Sequence, residues 1–456
     1  MNNRFKTYKQ QYLTDVISIA PLITFRILFG AILLLGTIRF VYNGWVETLY
    51  LQPRFFFNFF GFEWVQPFGK MGMYALLAVI TISAAMVMLG FFYRIAIITF
   101  FLSFTYLELI DATNYLNHYY LVILLAFLMI FLPANQQFSI DSWRKPSIKV
   151  SHVPAWMISI LIFQISLVYI CAGLAKCNSD WLFNAMPLAV WLPEHQDLPL
   201  IGNLLKYKAT AYLFSWGGAF YDLTIVGFLL YNRTRIGAYV AVVVFHLMTN
   251  LLFNIGLFPV IMISSTLLFF PADFHQKILV CLKVLIGRLL NFKSLVNATP
   301  FSIATPRFNW KPLLTFFIIL QLVIPFRHLF YPGNTMWTEE AYRFSWRVML
   351  VEKIGQTTFR IEDPDQGRKT EVINGRYLTQ FQEKQMSIQP DFILQFAHFL
   401  KKEYQIRHAI NNPIITVDAF VALNGRTSQR LIDPTINLAE IDDGFKPKDW
   451  ILPFED

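Results

Sequence analysis

Lys176 closes a long apolar run, Trp156 to Ala175, where that run meets polar sequence. Small residues precede it: Cys171, Ala172, Gly173 and Ala175. Another backbone or a ligand can approach closely there. The lysine has two readings. It snorkels to lipid headgroups, as lysines at span ends do, or it is a partly desolvated amine. Desolvation favours the neutral form of an amine, and a neutral amine is a base. A second group is Asn114-Tyr-Leu-Asn117-His118-Tyr-Tyr120, which opens another apolar run. A histidine there is either a structural hydrogen-bonder or an electrostatic participant. A third is His246, with Asn250 and Asn254 at spacings of four. That spacing puts all three on one helix face, either as a polar seam between helices or as a cavity wall. Glu194-His195 and Asp222 are weaker candidates. No catalytic-triad, phosphate-loop or metal-ligand spacing is present, and the chemistry reads as metal-free. These groups point to a cavity near the outer membrane face, fed by three helices.

The elements that carry them are membrane helices. The chain has 456 residues, 55% of them hydrophobic and 15% charged, which excludes an ordinary soluble protein. Its apolar runs approach the roughly 20 residues that cross a bilayer. Candidate spans are Ile17–Val41, Met71–Phe92, Ile95–Ile110, Tyr119–Leu132, Trp156–Ala175, Ala211–Tyr231, two within Ile236–Phe270, and Leu313–Phe330. That makes nine crossings, or eight. Arg26 and Arg39 interrupt the first, so one of its faces meets protein, and both read as structural. Phe274–Phe292 is amphipathic and basic, a surface helix. The polar N-terminus reads as no cleaved signal peptide. Three cysteines make no disulfide framework.

The net charge of +9 sits largely in loops and sets topology rather than binding nucleic acid. With the N-terminus in the cytoplasm, inside segments carry fifteen lysines and arginines. Outside segments before residue 331 carry five: Arg54, Lys70, Lys176, Lys206 and Lys208. This bias puts Asp111–His118, Lys176 and the break at Asn254 on the outside. Residues 1–331 form the membrane domain. Residues 332–456 read as an extracytoplasmic α+β domain. Its signals are a hairpin around Asp363-Pro-Asp-Gln-Gly, a helix over Pro390–Tyr404, and a second hairpin at Asn424-Gly425.

Several stretches together resemble the vitamin K-dependent gamma-glutamyl carboxylase family. They are Asp111-Ala-Thr-Asn-Tyr-Leu-Asn-His-Tyr-Tyr-Leu, Ala172-Gly-Leu-Ala-Lys176 with Asp180-Trp181, and Phe245-His246 with Gly256-Leu-Phe258. Trp337-Thr, Tyr342, Ser345-Trp346 and Gln429-Arg430-Leu-Ile-Asp433-Pro434 complete the series. They fall in the family's order over about residues 15 to 452. The resemblance implies a metal-free enzyme that uses reduced vitamin K, O2 and CO2. It converts peptide glutamate to gamma-carboxyglutamate and yields the vitamin K epoxide. It further implies Lys176 as the initiating base, with Asn117 and His118 steadying developing anions. His246, with Asn250 beside it, falls on the quinone-binding wall. Trp337, Tyr342, Trp346 and Arg430 fall in the region that receives the glutamyl peptide. Animal members usually show paired lysines where this chain has Ala175-Lys176, and they carry a long C-terminal extension. The shorter form is similar to bacterial members, which implies a bacterial inner membrane. Two other readings stay open: a binding or receptor protein on the same scaffold, and a quinone-dependent oxidoreductase without carboxylation.

Overall fold

The computed structural model describes residues 15–290, 302–304 and 309–455. The N-terminal reading, with Arg4, Lys6 and Lys9, lies outside the described residues, as do Lys293 and Arg307. Long apolar runs become helices because the chain satisfies its backbone internally there. The membrane part contains α1 (Ala20–Tyr42), α2 (Lys70–Leu89), α3 (Tyr93–Leu109) and α4 (Asn117–Phe131). It continues through α5 (Trp156–Ala175), the short α6 (Ser179–Asn184), α7 (Lys208–Leu230) and α8 (Arg235–Phe253). Then come α9 (Phe258–Thr266), α10 (Ala272–Leu290) and α11 (Lys311–Val323).

The expected count of eight or nine spans is not confirmed. Among the described residues six helices are long and apolar enough to cross a bilayer, or seven if one bent pair counts as a span. At 1.5 Å per residue, the 15 residues of α4 fall short of a hydrocarbon core of about 30 Å. The second half of Ile236–Phe270 is also short. After α9 the chain turns by 119° into amphipathic α10, with Pro271 at the break.

Buried polar residues tie the bundle together. Arg26 is a structural residue, as expected: its guanidinium donates to the carbonyls of Ala134 (3.3 Å) and Phe138 (2.6 Å). Asp141, in the short helical turn Ile140–Arg144, accepts from the amides of Phe92 and Tyr93 and so caps α3 from a distance in the chain. Gln321 of α11 links Gln164 of α5 to the Tyr120 hydroxyl of α4.

The C-terminal part is α+β. A four-stranded antiparallel sheet runs in the order β4 (Lys369–Glu371), β3 (Lys353–Glu362), β5 (Ile414–Leu423), β6 (Gln429–Arg430). A separate pair, β1 (Val16–Ser18) and β2 (His152–Pro154), joins two loops of the membrane part. Both expected hairpins are present, as β3–β4 and β5–β6. Strand β5 buries Ile415, Val417, Ala419, Val421 and Leu423 at a period of two. Helices α12 (Gln380–Met386) and α13 (Pro390–His408) cover the sheet. Phe392, Phe396 and Leu400 of α13 point inward at the helical period. This core runs without interruption into Trp181, Ala211 and Leu252 of the membrane part. The sheet therefore stands directly over the breaks that carry Lys176 and Asn117.

Candidate functional site

Lys176 caps α5, and its backbone N–H is bound to the carbonyls of Ala172 and Gly173. Its side chain turns back into the protein. The amine stands 2.7 Å from Asp222 Oδ2 and 3.4 Å from the Ala172 carbonyl. Both charged side chains are under a tenth exposed. Gly173 makes this pairing possible. A Cβ there would stand 2.9 Å from the backbone nitrogen of Leu223, so only glycine lets α7 come close enough to present Asp222. Removing one partner would leave an uncompensated buried charge. The snorkelling reading is overturned, because the amine points inward to a carboxylate.

The indole of Trp181 lies over the same amine at 5.2 Å. Its N–H is anchored on the Ser215 carbonyl at 2.7 Å. Asn178 sets the start of α6 by accepting from the Trp181 amide. These groups border a cavity of about 330 Å³ between α5, α7, α8 and α9. Most of its lining is apolar, including Val168, Leu213, Phe245, Leu252 and Met262. His246 closes another part of it. The Tyr169 hydroxyl holds His246 Nε2 at 2.9 Å, while His246 Nδ1 is buried without a hydrogen-bond partner among the described residues. The ring is thus oriented through one nitrogen and has the other to spare.

Asn250 does not join this wall. It is exposed and does not line this cavity, while Thr249, Leu252 and Phe253 face inward beside His246. The inward stripe of α8 drifts by steps of three and four, and a strict spacing of four rotates away from it. Tyr169 went unnoticed in the sequence although it lies seven residues, about two turns, before Lys176 on the same face.

Asn117 and His118 lie next door rather than in the same cavity. They line a second, larger space of about 680 Å³ with Arg39, Asn254 and Gly256. Phe253, Ile255, Phe258, Val348 and Met349 border both spaces. The Phe258 ring is 6.0 Å from His118 and 5.8 Å from His246, centroid to centroid. One aromatic wall therefore separates the two histidines. Asn117 Oδ1 accepts from the Tyr115 hydroxyl (3.0 Å), and Asn117 Nδ2 donates to the Arg347 carbonyl (3.4 Å).

Asn117 also borders a third, polar cavity of about 220 Å³. Tyr342, Arg343, Lys353, Glu339 and Gln385 complete much of that lining. Lys353 pairs with Glu339 at 2.8 Å, and Arg343 pairs with Asp391. Burial lowers the Lys353 ammonium from its ordinary value, and the Glu339 charge resists that shift. Of the four residues expected to receive a peptide, only Tyr342 lines this space. Trp337 and Trp346 are fully buried. Trp337 donates its indole N–H to the Leu452 carbonyl, and Trp346 stacks on Tyr120. Arg430 sits on the sheet edge beside Asp418 at 3.3 Å. Large aromatics in a motif fill cores as readily as they face ligands.

Two contacts bind the C-terminal sheet and helices to these cavities. The Asp111 carboxyl accepts from Gln382 of α12 at 2.8 Å. Burial pushes it up to about 6 against the pull of its Thr113 and Gln382 hydrogen bonds. Asp180 of α6 accepts from Asn424 (2.8 Å) and from both terminal nitrogens of Arg426 (2.9 and 2.6 Å). That fork grips the segment that follows Lys176.

Comparison with known proteins supplies two matches and covers most of the chain. Residues 15–274 match the HTTM domain family. Residues 309–456 match the lumenal domain of vitamin K-dependent gamma-carboxylase. No solved structure matches the chain.

Proposed function

Because the chain belongs to the vitamin K-dependent gamma-glutamyl carboxylase family, we propose that it carboxylates peptide glutamate at the expense of reduced vitamin K. The products are gamma-carboxyglutamate and the vitamin K epoxide, with O2 and CO2 consumed. The observation that carries this reading is the cavity beside Lys176. Its lining is mostly apolar, with a buried amine and its carboxylate in one part and, in another, a histidine nitrogen without a partner among the described residues. A quinone ring fits that lining, because its body is apolar and its oxygens need few partners.

Reduced vitamin K supplies, with O2, a base strong enough to remove a proton from a glutamate γ-carbon, which no protein side chain can do efficiently. The residues of this chain prepare that chemistry. With the proton of the pair on the Asp222 carboxyl, Lys176 Nζ is a neutral amine that would take a hydroxyl proton, and Asp222 keeps the resulting ammonium hydrogen-bonded. His246, steadied by Tyr169, gives the bound ring a second hydrogen bond. Apolar walls keep out the water that would quench a strong base. Asn117 and His118 stand across the Phe258 wall and stabilise charge that develops there. Tyr342, Arg343 and Lys353 offer a polar, partly cationic seat for the glutamyl carboxylate, and Asn117 sits at the junction. We place the protein in a bacterial inner membrane with residues 332–456 outside the cytoplasm.

The test uses purified protein, reduced vitamin K, a short glutamate peptide and radiolabelled bicarbonate. Label in the peptide, with epoxide formed in parallel, is the expected result. Epoxide without label would leave a quinone oxidase. Neither product would leave a binding scaffold.

A further inference from the structure

A fourth cavity, of about 280 Å³, lies where the C-terminal domain meets Leu109 at the end of α3 and Arg327 beyond α11. Glu339, Tyr342 and Arg343 line both this space and the polar cavity at Asn117, and so stand between the two. Its depth is set by the membrane. The apolar span that contains α11 runs on to Phe330, and Arg327 sits one 3₁₀ turn before that end. Phe60, Phe62 and Phe445 line the cavity and are exposed, as are Leu329 and Phe330 beside Arg327. Exposed aromatics at a span end sit at headgroup level. The Phe60 and Phe445 rings meet at 4.8 Å, so the C-terminal domain shares this rim.

Inside, charges of both signs lack ion-pair partners among the described residues. Arg327 donates to the Arg343 carbonyl at 2.8 Å and meets no carboxylate. Glu340 and Asp443 each accept from one backbone amide, that of Lys448 (3.1 Å) and that of Gly444 (2.8 Å), and neither forms an ion pair with Lys448. Burial raises both carboxyls from their ordinary values against the pull of Lys448. The other lining charges are used: Arg343 pairs with Asp391, and Glu339 with Lys353. A half-buried carboxylate is costly without a donor, and a primary ammonium brings three. A guanidinium without a carboxylate suits a phosphate. We propose that this cavity seats the headgroup of one membrane phosphatidylethanolamine, with its ammonium on Asp443 and Glu340, its phosphate on Arg327 and its acyl chains running past Phe62 and Phe330 into the bilayer. Such a lipid ties the C-terminal domain to the membrane surface, and the assignment does not depend on the quinone reading. A choline headgroup has no N–H to give the carboxylates and is the weaker ligand.

Native mass spectrometry of the full chain in mild detergent reads the preference, with phosphatidylethanolamine and phosphatidylcholine of the same acyl chains as probes. The wild type retains one phosphatidylethanolamine and prefers it about tenfold over phosphatidylcholine. Asp443→Asn keeps the side-chain shape, removes the charge and brings the two lipids near parity. Arg327→Gln weakens both about tenfold. Asp365→Asn, at an exposed carboxylate that does not line this cavity, changes neither. Thermal midpoints near wild type show that each variant is folded, and Asp443→Asn decides the question by itself if Arg327→Gln does not fold. Equal binding of the two lipids by the wild type overturns the proposal, as does an unchanged preference in Asp443→Asn. Glycerophosphoethanolamine without acyl chains that binds as tightly as the lipid overturns the membrane source. Displacement of the lipid by a short glutamate peptide overturns it too, and makes the cavity part of a peptide groove.

Discussion

The fork between Asp180 and Arg426 makes an asymmetric prediction about how the sheet holds the Lys176 segment. Arg426→Met leaves the Asp180 carboxylate in a site where its side chain is 6% exposed, with Asn424 as its remaining clamp donor. Asp180→Asn instead leaves a guanidinium whose side chain is 25% exposed and lies 5.3 Å from the Phe454 ring. Breaking a buried pair from one side costs about 3–5 kcal/mol. The arginine reaches water and the carboxylate does not. Arg426→Met should therefore cost about 3 kcal/mol, and Asp180→Asn about half of that. The double variant should cost less than the sum, with a coupling of about 2 kcal/mol. The pH dependence follows from linkage. Burial raises the Asp180 carboxyl, but Arg426 and Asn424 outweigh it and hold it below the usual range. A depressed folded value adds stability above the ordinary carboxylate value of about 4, and that stability is lost as pH falls through the folded value. The gap between wild type and Asp180→Asn should therefore close in acid. Denaturant unfolding in mild detergent, followed by tryptophan fluorescence at about pH 7 and about pH 2, measures all four proteins. A coupling under about 0.5 kcal/mol, or a larger cost for Asp180→Asn than for Arg426→Met, would refute the reasoning.

Three further outcomes are expected. Lys176→Met combined with Asp222→Asn removes the pair without stranding a charge, so hydroquinone oxidation should vanish while the thermal midpoint stays near wild type; turnover at wild-type rate rules out the base assignment. His118→Ala should lower epoxide and carboxylated product together, by about 10²–10³-fold, with quinone affinity retained; lost affinity with normal turnover at saturation would make His118 a binding residue. In a background lacking Cys171, Cys177 and Cys281, cysteines placed at the exposed positions Thr427 and Lys149 should label from opposite sides of an intact membrane, and same-side labelling contradicts the topology.

Much of this protein was legible in its sequence because the information was local. Runs such as Trp156–Ala175 are long and apolar, so they become helices whatever surrounds them. The Asn424-Gly425 turn takes left-handed backbone angles that these two residues tolerate, and the hairpin follows. The end of the Trp156–Ala175 run marked Lys176 before any neighbour was known.

The rest depended on distance in the chain and could be decided only by packing. Asp222 was a weak candidate among many acidic residues until α7 came within reach of Gly173 and met Lys176 across 46 positions. Asn250 and Tyr169 exchanged importance because a helix face is set by the neighbours that cover it, and a spacing of four only approximates the turn. Hydropathy counted α4 as a span, but its 15 residues pack short against the C-terminal domain. One expected cavity became two because Phe258, far from His118 in sequence, stands between the two histidine rings. Side-chain type and chain order determined which groups could act. The close approach of helices determined which of them meet, because burial, pairing and partition are properties of the assembled interior rather than of any segment.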